Sequence, residues 1–249
     1  MRVLGEFPLS EDDSVIPLGL IEAAIAREIQ QTDAGVVWGL DVARFGDDST
    51  ALARRRGNTL LGPVVEWRKI DLMQTAGKIL VEFNTTPLPL RPVSINVDVI
   101  GMGGGVVDRL RELGLPVRGI NVGEVAAVDE KRYMRLRDEL WFQAKDWFAT
   151  LAVKIPRDDG LISELVAPKY KYESTGKLKV ESKDDMKKRG IRSPNKADAF
   201  CLTFAGGDLR RVQQPQSIGH WDPFDVTPEA FERHLRQQTT GDVGYQPWE

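Results

Sequence analysis

The sequence predicts an α/β fold: a mixed central sheet that begins with three antiparallel strands and is flanked by helices. Three observations lead there. Strand-like stretches at 50–55 and 59–67 are joined through Gly57-Asn58, a strong hairpin signal. A helical stretch after Asp71 separates that hairpin from another strand-like stretch at 94–99, so the chain returns to the sheet by a crossover. The longest periodic segment, 133–151, repeats Leu136, Leu140, Ala144 and Phe148 at four-residue spacing, one apolar helix face.

Taken in order, residues 1–34 read as a lead-in segment, with an extended piece and then a helix near 20–30 carrying Ile21, Ile25 and Ile29 on one face. A largely apolar strand follows at 36–42, with a turn at Gly46-Asp-Asp48. Asp71 is the expected N-cap of a helix bearing Leu72, Ala76, Ile79, Leu80 and Phe83. Gly101 to Gly105 turns into a helix over 106–113 that stops at Gly114, and 117–120 supplies one more strand. Tyr170 and Tyr172, then Leu178 and Val180, alternate with lysines as a β-hairpin. In the last core helix Ser193 fits the N-cap and Pro194 the first helical position; Ala197, Phe200, Cys201 and Phe204 follow, and the helix ends at Gly206-Gly207. The domain proper is expected over 35–207, with 208–249 as a C-terminal tail.

Composition narrows the chemistry. The 249 residues carry 34 Lys plus Arg against 37 Asp plus Glu, a net charge of −3, so a nucleic-acid contact must come from local clustering. The single Cys201 excludes a disulfide framework and a CxxC zinc site, and His220 and His234 leave little for histidine catalysis. No apolar run approaches the ~20 residues of a membrane span, and no signal peptide is recognisable, so a reducing cytoplasm and no membrane partner are expected. Any catalysis falls to carboxylates, lysines or bound metal.

Asp41 interrupts an apolar strand, Asp98 sits near the end of a second, and Asp198 lies early in a helix otherwise made of Ala, Phe, Cys and Leu. Any one of them could be a cap, a turn former or the partner of an Arg. Three ionised carboxylates in apolar surroundings, with no obvious cationic partner in sequence, are costly unless they converge on a metal. Hard oxygen ligands suit Mg²⁺ or Mn²⁺, and a pair of such ions can activate water and stabilise both oxygens of a phosphodiester exchange. Their order, first hairpin strand, strand after a helix, late helix, is that of the ribonuclease H-like fold.

On these residues the sequence resembles the C-terminal nuclease domain of the large terminase subunit of tailed bacteriophages. The matching pieces are Arg2-Val-Leu-Gly-Glu-Phe-Pro8, Gly39-Leu-Asp-Val-Ala-Arg-Phe-Gly-Asp-Asp-Ser-Thr50, Val97-Asp-Val-Ile-Gly-Met-Gly-Gly-Gly105, and Glu181-Ser-Lys with Ser193-Pro-Asn-Lys-Ala-Asp-Ala199, spanning about 1–205. The resemblance implies that Asp41, Asp98 and Asp198 ligate two Mg²⁺ or Mn²⁺ ions and that the domain cuts concatemeric double-stranded viral DNA during packaging. It further implies an ATPase domain upstream of this chain, a small terminase subunit and the procapsid portal as partners, and action in the host cytoplasm, transiently at the portal. Many members carry an Asp where Asn195 stands here, so a ligand from that position would be an uncharged amide oxygen. Asp48 is a further possible contributor, although an Asp pair after Gly is more often a turn former.

Between 169 and 196 ten basic residues, Lys169, Lys171, Lys177, Lys179, Lys183, Lys187, Lys188, Arg189, Arg192 and Lys196, outnumber four acidic ones, a local balance of +6. Such a run is usually a solvated face; beside Asp198 in an acidic chain it reads as a phosphate-tracking surface. The glycines of 101–105 do not satisfy GxGxxG and serve a tight turn beside Asp98. No GxxxxGK[ST] occurs, so no P-loop motor is present. Trp141, Trp147 and Phe148 are expected to be core and to need no ligand. Two rival readings remain at this level: an inert DNA- or portal-docking module, and an actin-like ATPase fold suggested by Asp41, the Gly-containing turn and Thr50.

Overall fold

The computed structural model describes residues 13–43, 48–126 and 128–206. The segment at 1–8, the turn at 46–47 and the tail after 206 lie outside these. Helix α1 (Leu18–Ala26) leads to strands β1 (Val36–Asp41) and β2 (Ser49–Arg56). Where one strand is expected over 59–67 there are two, β3 (Thr59–Leu60) and β4 (Val65–Arg68), because Gly62 at φ 83° and Pro63 break the run. Both pair antiparallel with β2, at opposite ends of it. Gly57 at φ 51° makes the turn that Gly57-Asn58 predicts.

Asp71 caps α2 (Leu72–Thr85), accepting from the Gln74 amide while the Gln74 side chain takes the Asp71 N–H. The crossover delivers β5 (Pro92–Asp98) parallel to β1; α3 (Gly103–Glu112) and β6 (Val117–Ile120) extend the sheet in parallel, giving the order β3-β2-β1-β5-β6, with β4 also on β2. The long helix α4 (Leu136–Ala149) starts three residues later than its periodicity suggests. Then come α5 (Asp159–Val166), the hairpin β7 (Tyr170–Tyr172) and β8 (Leu178–Val180), α6 (Lys183–Lys188) and α7 (Asn195–Leu202). Sequence reading passes over α5 and α6, each only two turns long. Pro194, not Ser193, is the N-cap of α7, and the helix stops at Leu202, short of the expected glycine pair.

The period-2 alternation of the strands decides which residues face which helices. Val36, Trp38 and Leu40 of β1, with Ile95 and Val97 of β5, pack with Ala76 and Ile79 of α2 and Val106 and Leu110 of α3. The opposite face of the sheet belongs to α7. Gly39 lies so close to it that a Cβ there would sit 2.0 Å from the Ala199 carbonyl oxygen. Asn96 donates to the carbonyls of Leu202 (2.9 Å) and Ala205 (3.0 Å), and buried Arg55 donates to Thr203 Oγ1 and O, both at 2.9 Å. These bonds satisfy carbonyls at the helix end. Phe200, fully buried between Phe148 and Trp147, anchors the layer formed with α1, α4 and α5; truncating such a ring to Ala costs about 3–5 kcal/mol. Among the described residues no helix is long and apolar enough to cross a membrane.

Candidate metal centre

The same alternation that turns Gly39 and Asn96 toward α7 puts Asp41 and Asp98, two residues further along β1 and β5, on that face at the strand ends. Immediately before the Ala199 contact with Gly39, α7 presents Asp198. The three carboxylates, drawn from two strands and a helix far apart in sequence, line one cavity of about 40 Å³ with Arg137, Trp141, Lys183 and Cys201. Gly103 lets the chain fold back immediately beyond β5: a Cβ there would fall 1.7 Å from the Asp98 carbonyl oxygen, and Gly101 adopts φ 79°. This is the tight turn expected of the 101–105 glycines.

Asp198 is the most constrained of the three. Its Oδ1 accepts from Trp141 Nε1 at 3.0 Å and from Arg137 at 3.3 Å. Its Oδ2 is buried and makes no hydrogen bond, although the Lys183 ammonium stands 3.1 Å away. Lys183 also lies 3.3 Å from Asp41 Oδ2, so one ammonium bridges two of the carboxylates. Asp98 accepts the Ile100 N–H at 3.0 Å. Arg137 is itself held by the Glu181 carbonyl at 3.0 Å.

Electrostatics separates the trio. Burial pushes Asp41 up to about 6 against the pull of Lys183, and the charges of Asp198 and Asp98 add to the rise. Burial also raises Asp98, opposed by the Ile100 N–H and Lys183. Burial would raise Asp198 as well, but Arg137 and Lys183 outweigh it and hold this carboxyl below its ordinary value. For Lys183, burial acts downward, yet the Asp198 and Asp41 charges keep the ammonium above its usual range.

Sequence reading finds no cationic partners for these aspartates; the structure supplies two. Lys183, placed by sequence in a phosphate-tracking run, is turned into the acidic centre. Trp141 is core, as expected, yet its indole N–H serves Asp198. The i, i+4 spacing of Arg137 and Trp141 on α4 is the signal that could have found the pair. Among the described residues no group of three or more His, Cys, Asp or Glu side chains is closed around a single point as for one ion. The Lys183 ammonium sits between Asp41 and Asp198, where a cation would bridge them. A hard divalent ion fits this donor set: carboxylate oxygens only, one of them buried, around a resident positive charge.

Asp48 and Asn195 do not join the trio. Both line a separate groove of about 970 Å³. The Asn195 side-chain nitrogen donates to Ser49 Oγ at 3.2 Å. Much of the basic run is also neutralised locally. Lys169 pairs with Asp13, Lys171 and Lys179 with Glu173, Lys188 with Asp185, and Arg189 with Glu181. Lys196 lies between Asp158 and Glu66. Leu178 and Val180 are buried, which leaves Lys179 on the other face of β8, as the alternation predicts, with Lys177 just before the strand.

No family model matches the chain. It is 27% identical over 215 residues to a probable large terminase subunit of Enterobacteria phage P7, a match covering 81% of this chain and 43% of that protein, so the chain spans less than half the length of that curated relative. Among solved structures, the nuclease domain of the large terminase subunit gp2 of bacterial virus Sf6 superposes with a TM-score of 0.61 at 18% identity, covering 76% of this chain and 98% of that one. A mutant of the same domain with manganese and β-thujaplicinol gives 0.62. The large terminase nuclease from thermophilic phage G20c with bound magnesium gives 0.58 at 11% identity, covering 80% and 100%. The resemblance to large terminase nuclease domains stands, and the fold is ribonuclease H-like.

Proposed function

We propose that this chain is a metal-dependent endonuclease that hydrolyses phosphodiesters of concatemeric double-stranded viral DNA during genome packaging. The observation that carries the reading is the gathering of Asp41, Asp98 and Asp198 on one cavity. In this reading they hold two Mg²⁺ or Mn²⁺ ions. When bound, such ions make water nucleophilic near neutral pH and offset charge on the attacking and leaving oxygens.

The chain's own groups prepare that site. Trp141 and Arg137 fix Asp198 through Oδ1 and leave Oδ2 toward the cavity. The Ile100 N–H orients Asp98. Lys183 holds Asp41 and Asp198 together through its ammonium, at the place between them that a divalent ion held by these carboxylates would share. The basic residues of 169–192 that remain unpaired would meet the DNA backbone.

The likeness to a large terminase subunit supports the packaging context. An ATPase domain, a small subunit and the portal are the partners this reading implies, in the host cytoplasm and transiently at the portal. Residues 1–34 would be the lead-in from the ATPase domain, 35–207 the nuclease and 208–249 a tail. The test is plasmid cleavage by the purified chain with Mn²⁺ or Mg²⁺. Nicking and linearisation that stop with a chelator, and that vanish in Asp98→Ala, are expected. An intact plasmid with either ion across a wide enzyme range would reject the reading.

A further inference from the structure

We propose that the polar groove beside the acidic cavity binds a backbone phosphate of the strand being cut, next to the scissile one, through Arg68, Arg192 and Lys187. This rests on the nuclease reading above and names a subsite for it.

The groove, about 970 Å³, is open where the acidic cavity is narrow, and the two are built from the same elements. On α6, Lys183 lines the cavity and Lys187, one turn on, lines the groove. On α7, Asp198 lines the cavity and Asn195, one turn earlier, lines the groove. On the paired strands, Asp41 lies opposite Ala51, and Ser49, two residues away on the same face, lines the groove. Each step is about one helical turn or one strand repeat, ~5–7 Å. A chain of phosphates passing the aspartates therefore runs into this groove rather than into solvent.

Charge accounting favours an anion. Arg68, Lys187 and Arg192 are exposed along it, and none has a carboxylate partner among the described residues. This contrasts with the hairpin, where Lys171 and Lys179 share Glu173. Of the lining carboxylates besides Asp48, Glu66 is occupied by Ser49 Oγ at 2.6 Å and by Lys196, and Glu164 accepts the Ala197 N–H at 3.1 Å. A second, independent feature is Ser193. It lines the groove, is 4% exposed, and its Oγ has no hydrogen-bond partner. A buried hydroxyl without a partner destabilises the free protein, a cost relieved when an acceptor oxygen arrives. Guanidinium forks with a hydroxyl suit a phosphodiester, whose oxygens accept and never donate.

The experiment measures binding of a short duplex to the full chain over a salt series, with Ca²⁺ in place of the catalytic ion, for wild type, Arg68→Gln/Arg192→Gln and Ser193→Ala. For the double variant the slope of log affinity against log salt should fall by about 0.9 per lost phosphate contact. Ser193→Ala should lose affinity a few-fold with the slope unchanged; Mn²⁺ binding by calorimetry should match wild type in both, and the melting temperature should match wild type in the double variant and not fall in Ser193→Ala. A double variant with wild-type slope and affinity, in a chain that binds and cuts DNA, would overturn the groove and leave the nuclease reading intact. A wild-type chain that neither binds nor cuts DNA would overturn both. Loss of Mn²⁺ binding in the double variant would also count against the groove, since its arginines would then be serving the metal centre.

Discussion

The indole N–H of Trp141, a residue with no exposed surface, donates a 3.0 Å hydrogen bond to Oδ1 of Asp198. A core aromatic thus aims a carboxylate, and packing and site geometry are set by one side chain. Trp141→Phe keeps most of the ring volume and removes only the donor. Groups that orient a metal ligand in this way are worth about 10–100-fold in metal affinity or activity. Calorimetric titration with Mn²⁺ should show a loss in that range with a melting temperature close to wild type; unchanged affinity would mean that Arg137 alone positions Asp198.

Replacing Asp41 and Asp198 by Asn should move metal-free stability in opposite directions near neutral pH. The folded state raises Asp41 and lowers Asp198, so ionised Asp41 weakens the fold where ionised Asp198 strengthens it. Asp41→Asn is expected to raise the melting temperature in chelator and Asp198→Asn to lower it, while both abolish Mn²⁺-dependent cleavage. Differential scanning calorimetry with a parallel plasmid assay tests the pair, and shifts of the same sign would contradict it.

Lys183→Met removes the ammonium that bridges Asp41 and Asp198. Without that competitor, Mn²⁺ should bind more tightly, by about tenfold, a change equivalent to ~1.4 kcal/mol. The metal-free protein should melt lower, because three carboxylates then face one another uncompensated. Weaker metal binding in this variant would show that Lys183 supports the ion instead of occupying its place.

The pH dependence follows from Asp41, raised to about 6, and Glu164, raised by burial to about 7. A group held above its unfolded value stabilises fully below that unfolded value, and the contribution is lost as pH rises through the folded one. For Asp41 the window runs from 3.8 to about 6, and for Glu164 from 4.5 to about 7. These two groups should therefore lower the metal-free melting temperature as pH rises across it. Metal binding requires Asp41 ionised, so the stabilisation by Mn²⁺ should be larger at about pH 7.5 than at about pH 5.5. Thermal melts with and without Mn²⁺ at both values check this, and Glu164→Gln should flatten the metal-free profile.

What could be read from the sequence was what depends on local pattern. Apolar strand-like stretches placed Asp41 within one strand and Asp98 near the end of another, four-residue periodicity found α4, and Gly57-Asn58 marked the hairpin. Asp198 was legible because a carboxylate among Ala, Phe and Cys is out of place. The partners were not, because Arg137 and Lys183 reach the centre through tertiary packing that no spacing encodes. For the same reason a run of ten basic residues looked like one surface, when five of its members are matched to Asp13, Glu173, Asp185 and Glu181. The short helices α5 and α6 have two turns each, too few for a period to register.

The close seat of α7 against Gly39 has a temporal side. Asp41 and Asp98 are translated before Asp198, and the face of the sheet they share stays uncovered until the segment around Ala199 has left the ribosome and can press its backbone against β1. At ~5–20 residues per second this order imposes a delay of several seconds or more between the first carboxylate and the last. A chain that stops short of α7 holds two aspartates on an open sheet without the third. Seating α7 on the sheet and gathering the third carboxylate are one event.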